Sequence, residues 1–266
     1  MTSVAILGAG GRMGMALIGS IQTFQNLHLV AAVEQPGNPN VGLDSGMVSG
    51  TQPNGILVSD DIDAAVAASD VVIDFTFHTA VPETARLIKK YGKAYVLGTT
   101  GLTTEELSAV EATAQTVPVL MAPNMSMGVN MLLSLVKQAA SILNEGYDAE
   151  IVEMHHRHKK DAPSGTALAL AKAVAAGRSV DLDQVVCYGR EGMTGERNPE
   201  TIAIHALRGG DVIGDHTVIF AADGERVELT HKATGRGCLS GGALRAAGWL
   251  VSKDPGFHSM REMLGI

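Results

Sequence analysis

Short, almost uninterrupted apolar runs recur along the first 125 or so residues, at Val4–Leu7, Leu29–Val33, Val71–Phe75, Ala94–Leu97 and Val117–Met121. Four of the five lack the polar alternation of a half-solvated strand, so they predict parallel strands buried on both faces. Between them, the apolar residues of Met13–Ile21, Val81–Lys90 and Thr104–Ala114 fall at helical spacing. Thr103 followed by Glu106 is a capping signature for the third helix. Strands alternating with helices imply a parallel sheet covered on both sides. Gln35–Gly55, rich in Gly, Pro and Asn, reads as a long loop.

From Asp148 the pattern changes. Strand-like runs at Glu150–Met154, Thr201–Leu207, His216–Phe220 and Arg226–Thr230 enclose one strong helix, Thr166–Ala176, with Gly177 expected as its C-cap. Strands following strands favour a mixed or antiparallel sheet, hence a second domain of different architecture. Gly241–Val251 is an Ala/Leu-rich helix holding the single Trp249, and its pattern leaves open which domain it packs on.

Composition narrows the function classes. A chain of 266 residues with 45% hydrophobic and 18% charged content is long and apolar enough for one large globular domain or two ordinary ones. No apolar run reaches the roughly 18 residues of a membrane span, and Met1-Thr2-Ser3 runs into a strand without a basic flank, so no export signal is expected. Cys187 and Cys238 are too few and too far apart for a disulfide framework or a metal knuckle, which points to reduced thiols in the cytoplasm. The net charge of −8 argues against a nucleic-acid partner. An anionic ligand therefore needs a local concentration of cations.

Gly8-Ala9-Gly10-Gly11-Arg12-Met13-Gly14 follows the first strand and opens the first helix. The strict G-x-G-x-x-G spacing fails at Met13, and the fit is instead Gly8, Gly11 and Gly14. The physical demand is still met: a tight turn, close backbone approach to a pyrophosphate, and a helix N-terminus facing it. Glu34, about 20 residues further on at the end of the second strand, is placed to accept from the adenosine ribose hydroxyls. FAD or S-adenosylmethionine would use a similar unit, so the motif indicates a dinucleotide more firmly than a nicotinamide. Gly98-Thr99-Thr100-Gly101 and Ala122-Pro123-Asn124-Met125 follow the fourth and fifth strands, at the carboxyl ends where such sheets bind ligands. Neutral Gln35 follows Glu34, which favours NADH; Arg12 is the nearest cation for the 2′-phosphate of NADPH.

His155-His156-Arg157-His158-Lys159-Lys160 places six basic side chains in a row within an acidic protein. Pro163-Ser164-Gly165-Thr166 then leads into a helix, offering backbone N–H groups and two hydroxyls as a carboxylate cradle. Together they suggest a small substrate with one or more carboxylates, with imidazole and lysine available to move protons. A solvated loop and a metal site at His155, His156 and His158 compete; Arg157, Lys159 and Lys160 would repel a metal ion, so none is assigned. His28, His78, His205, His216, His231 and His258 stand isolated and are given structural or surface places.

Val4–Gly14, Asp74-Phe75-Thr76, Gly98–Gly101, Asn124–Asn130, Glu153–Thr166 and Gly189–Arg197 closely resemble the 4-hydroxy-tetrahydrodipicolinate reductase (dihydrodipicolinate reductase) family of the diaminopimelate route to lysine. The string HHRHK…DAPSGT is its most specific element. The resemblance implies an α/β fold: an N-terminal Rossmann-type dinucleotide-binding domain, residues 1–126 with 237–266 returning to it, and a C-terminal α+β domain with a mixed open sheet, residues 127–236. It implies NADH or NADPH held by Gly8, Ala9, Gly10, Gly11, Arg12, Met13, Glu34, Gly98, Thr99, Thr100, Ala122, Pro123, Asn124 and Met125. It makes His155 the general acid/base and Lys159 the proton donor. His156, Lys160, Gly165 and Thr166 would grip the carboxylates of a small cyclic dicarboxylate. It also implies a homotetramer assembled through the C-terminal sheets.

Overall fold

The computed structural model describes residues 1–266, and the chain divides into two compact units, 1–127 with 236–266 and 128–235. In chain order come β1 (Thr2–Leu7), α1 (Arg12–Ile21), β2 (Leu27–Val33), α2 (Ser45–Val48), β3 (Val58–Ser59), α3 (Ile62–Ala68), β4 (Val71–Asp74), α4 (Val81–Tyr91), β5 (Ala94–Leu97), α5 (Thr104–Ala114) and β6 (Pro118–Met121). Next are α6 (Met127–Ile142), β7 (Asp148–His155), α7 (Gly165–Arg178), α8 (Leu182–Val185), β8 (Val186–Tyr188), β9 (Ile202–Arg208), β10 (Gly214–Ala222) and β11 (Glu225–Ala233). The chain closes with α9 (Gly237–Leu250), β12 (Gly256–His258) and α10 (Met260–Leu264), all three in the first unit.

The first unit is built on a seven-stranded parallel sheet of order β12-β6-β5-β4-β1-β2-β3. Successive residues of β1 feed opposite cores, which is why the strand is apolar throughout. Val4 and Ile6 pack with Leu17 and Ile18 of α1 and with Leu244 and Leu250 of α9. Ala5 and Leu7 pack with Val66 of α3, Leu87 of α4 and Val110 of α5. Full burial of a side chain such as Leu17 or Ile6 contributes about 1.5–3 kcal/mol. The helix that holds Trp249, α9, thus belongs to the parallel-sheet unit, where it lies against α1. The strand order reverses between β1 and β4, the point at which sheets of this kind bind ligands beyond their carboxyl ends.

The second unit carries a five-stranded mixed sheet of order β11-β10-β7-β9-β8, in which β7 pairs parallel with β9 and antiparallel with β10. Alternate residues of β7 are buried: Ala149, Ile151, Glu153 and His155. Ala149 and Ile151 pack against Leu132 and Val136 of α6 and Leu170 and Val174 of α7. Glu150, Val152 and Met154 stay half-exposed on the other face. There Glu150 accepts from Arg190, Arg197 and His205. Burial alone would raise its carboxyl, but those bonds outweigh it and bring it down to about 2.

Two local expectations are corrected. Gln35–Gly55 is not a plain loop: Asp44 caps α2 through the N–H groups of Gly46 and Met47 and also accepts from those of Asn54 and Gly55. Nor does Gly177 end the long helix. Ser179, in the left-handed conformation at φ 57°, does so, and α7 runs on to Arg178. Gly177 lies inside α7 because a Cβ there would collide with the Lys137 carbonyl of α6 and come within 2.7 Å of the Ala140 Cβ. Close helix packing, not termination, explains that glycine. The pattern also missed α6 altogether, since its residues are apolar on more than one face.

Candidate active site

At the end of β1 the chain turns sharply into α1. Gly8 takes φ +77°, a conformation costly for any residue with a side chain, and the N–H groups of Gly8 and Ala9 both reach the Val33 carbonyl at 2.9 Å. Gly14 lets α1 press on this turn: a Cβ there would collide with the Gly8 carbonyl oxygen and come within 2.7 Å of Ala9 Cα. No side chain caps the N-terminus of α1, so its first N–H groups remain available to an anion. Glu34 is drawn to the same turn. Its carboxylate accepts from the Gly10 N–H at 3.1 Å, from Asn38 Nδ2 at 3.0 Å and from the Gln35 N–H at 3.1 Å. Ala9 is wholly buried, whereas Gly11 and Arg12 are exposed.

The other cofactor candidates stand further along the same sheet edge. Thr99 is buried, and its hydroxyl bonds the Thr76 carbonyl at 3.1 Å. Beneath it, fully buried Asp74 accepts from Thr76 and from Tyr95, tying the ends of β4 and β5 together. Burial first, then the Asp74 charge, push the Tyr95 phenol well above its ordinary range. Thr100 is exposed and Gly98 half-exposed; Ala122 and Met125 are buried, Asn124 is half-buried and Pro123 exposed. The Ala122 N–H donates to the Leu97 carbonyl, which sets the 98–101 and 122–125 segments side by side. A cavity of about 590 Å³ opens against Gly8, Gly11, Glu34, Thr76 and Phe77, and its lining residues include Asp60 and Glu83, the latter paired with Arg86, but no lysine or arginine.

In the second unit, a buried carboxylate organises the basic segment. Glu153 is 0% exposed. It binds His155 Nδ1 at 2.6 Å, the Ser164 N–H at 3.0 Å, and Arg208 through a pair of bonds at 2.8 and 2.9 Å. Burial raises the Glu153 carboxyl, but the bonds from Arg208, His155 and Ser164 outweigh it and hold it below the usual range. Ser164 is fixed at its other end too. Its hydroxyl caps α7 by accepting from the Ala167 N–H at 3.1 Å and meets His216 Nε2 at 2.9 Å. That hydroxyl is therefore already engaged within the protein on two sides. Burial first, then the neighbouring His155, bring His216 down to about 4.

The remaining predicted residues are less tightly drawn in. Lys159 donates to both carboxylate oxygens of Asp161 at 2.9 Å. Lys160 is exposed and without an ion pair, His156 is half-buried, Gly165 is exposed at the first position of α7, and Thr166 is half-buried beside it. Sequence reading missed Arg208 and set His216 aside. His216 does carry a signal: it falls in step with Val218 and Phe220 on the buried face of β10. Arg208, far along the chain on β9, carries none.

Family models described as "Dihydrodipicolinate reductase, N-terminus" and "Dihydrodipicolinate reductase, C-terminus" match residues 2–125 and 128–264. The chain belongs to the dihydrodipicolinate reductase family. The 4-hydroxy-tetrahydrodipicolinate reductase of Halorhodospira halophila is 49% identical over 263 residues, spanning 99% of this chain and 98% of that protein. The enzyme of the same name from Nitrosomonas europaea is 46% identical over 264 residues, spanning 99% and 98%. The solved dihydrodipicolinate reductase of Paenisporosarcina sp. TG-14, with dipicolinate bound, matches with a TM-score of 0.77 at 25% identity over 98% of each chain. The α/β fold with a Rossmann-like parallel sheet and a separate mixed sheet is that of the reductase family, and membership implies a nicotinamide cofactor and a small-molecule substrate.

Proposed function

We propose that this chain reduces 4-hydroxy-tetrahydrodipicolinate to tetrahydrodipicolinate with NADH, in the diaminopimelate route of lysine biosynthesis. The observation that carries the reading is the second unit's basic segment: His155 and Lys159 stand at the head of a helix whose first turn is Gly165-Thr166, in a chain of net charge −8. A dicarboxylate compensates such a cluster, and a helix N-terminus suits a carboxylate.

The glycine turn fits a dinucleotide, since α1 starts without a side-chain cap and Glu34 stands against Gly10. Gly8, Ala9, Gly10, Gly11, Arg12, Met13, Glu34, Gly98, Thr99, Thr100, Ala122, Pro123, Asn124 and Met125 would hold it. When bound, the nicotinamide supplies the hydride. NADH is favoured over NADPH because Gln35 is neutral and the cavity beside it is lined by Glu34 and Asp60 without a lysine or arginine, while Glu83 is already paired with Arg86. A 2′-phosphate would meet carboxylates there.

In the second unit His156, Lys160, Gly165 and Thr166 bind the substrate carboxylates, His155 acts as general acid/base, and Lys159 delivers the proton that completes reduction after water leaves. Lys159 donates to Asp161, and that hydrogen bond holds the Asp161 carboxyl below its usual range. Half-exposed Val152 and Met154, with Leu207 49% exposed, suit the open sheet face to assembly of a homotetramer. No helix is long and apolar enough to cross a membrane; Cys187 and Cys238 form no disulfide, in keeping with work in the cytoplasm.

The test is Lys159→Ala. NADH binding, followed by fluorescence, is expected to be unchanged, while turnover falls by about 10²–10⁴-fold. Full turnover in this variant would contradict the assignment.

A further inference from the structure

We propose that Glu153, clamped by Arg208, is the positioning residue of the site: one buried carboxylate fixes both the tautomer of His155 and the start of the helix that receives the substrate. The inference rests on the reading of His155 as acid/base and deepens it.

The hydrogen-bond inventory of Glu153 supports it. An ionised carboxylate offers about four acceptor sites and no donor. Here all four are taken, by His155 Nδ1, the Ser164 N–H and two nitrogens of Arg208. Glu153 has no capacity left for substrate or for proton transfer of its own. Because it only accepts, the proton between it and His155 belongs to Nδ1, and Nε2 is the nitrogen left for chemistry. Gly214 keeps that side clear, since a Cβ there would lie 2.9 Å from Nε2.

The second oxygen works on the helix. Ser164 is the N-cap of α7, and Glu153 Oε1 holds its N–H from a strand 11 residues earlier. With the Ser164 hydroxyl locked between the Ala167 N–H and His216, the N-cap is fixed at both ends. The first turn of α7 therefore has a set direction relative to His155. Arg208 makes the arrangement sustainable: it neutralises a carboxylate with no access to water and also donates to the Asp161 carbonyl at 2.6 Å, holding the end of the basic segment.

The experiment has two parts. In wild-type protein labelled with ¹⁵N-histidine and loaded with NADH, NMR is expected to show an Nδ1–H histidine with a strongly downfield proton that is lost in His155→Asn, while the signal of His78, whose Nδ1 faces Glu106, stays in place. Finding His155 as the Nε2–H tautomer overturns the proposal whatever any variant does. In steady-state kinetics, Glu153→Gln replaces one acceptor oxygen by an amide NH2 and can no longer accept from His155 Nδ1, the Ser164 N–H and both Arg208 nitrogens at once. It is expected to lower kcat by about 10–100-fold, to raise KM for the substrate, and to leave NADH affinity unchanged. In the His155→Asn background the same change is expected to raise KM without further loss of kcat. Equal fractional loss of kcat in both backgrounds would reduce Glu153 to a general structural part and overturn the proposal. Arg208→Lys, which keeps the charge, is expected to fall between wild type and Glu153→Gln; wild-type kinetics there would contradict the clamp. Should His155→Asn itself retain full turnover, the acid/base reading fails, while the tautomer measurement still judges the hold of Glu153 on the ring.

Discussion

Gly214 sits against His155 so closely that a Cβ at 214 would lie 2.9 Å from the imidazole Nε2. Gly214 opens β10, and a glycine in a strand is unfavourable unless something needs its space; here the ring does. Gly214→Ala is expected to tilt the imidazole off its Glu153 bond. Turnover should fall by about 10–100-fold, because small misplacements of a catalytic group cost that much. NADH titration should be unchanged. Steady-state kinetics beside a binding curve check both halves.

Gly14 is the corresponding tight spot in the parallel-sheet unit. A methyl group there would meet backbone of Gly8 and Ala9 rather than a flexible side chain, so the helix or the turn must shift. Gly14→Ala should destabilise by about 1–3 kcal/mol and weaken NADH binding at the same time. Thermal unfolding followed with and without NADH would show a lowered Tm and a smaller NADH-induced rise.

Cofactor choice follows from charge at the end of β2. With Glu34 and Asp60 beside the cavity, a cation at 35 should matter more than one elsewhere. Gln35→Arg is expected to lower KM for NADPH by about tenfold, equivalent to about 1.4 kcal/mol, while KM for NADH changes little. Side-by-side kinetics with the two cofactors decide it.

His216 gives the fold a pH dependence. Its folded value of about 4 lies below the ordinary 6.5, so between those values the unfolded chain binds the extra proton. Stability from keeping this ring neutral is present above about 6.5 and is lost as pH falls towards 4. The effect is on the order of 1–3 kcal/mol. Urea unfolding between pH 7.5 and 4.5 should show the decline, and His216→Gln, which can still accept from Ser164, should flatten that part of the curve.

Much of this was legible in the residues. β1, β2, β4, β5 and β6 were readable because strands buried on both faces leave continuous apolar runs, and α5 because Thr103 and Glu106 form a complete capping box. The glycine turn and the basic segment were local and so visible. What stayed hidden was assembled from distant positions. Arg208 reaches Glu153 from 55 residues away, and His216 reaches Ser164 from 52. Gly177 misled because a glycine near a helix end has the same appearance whether it terminates the helix or lets another helix approach. Asp44 escaped notice since its partners, Asn54 and Gly55, lie across a segment with no periodicity.

The most direct measurement of the central claim is NADH oxidation at 340 nm with freshly generated 4-hydroxy-tetrahydrodipicolinate, run beside aspartate semialdehyde. Rapid oxidation with the cyclic dicarboxylate and none above background with the semialdehyde is expected. No oxidation with the cyclic dicarboxylate, by either NADH or NADPH, would contradict it.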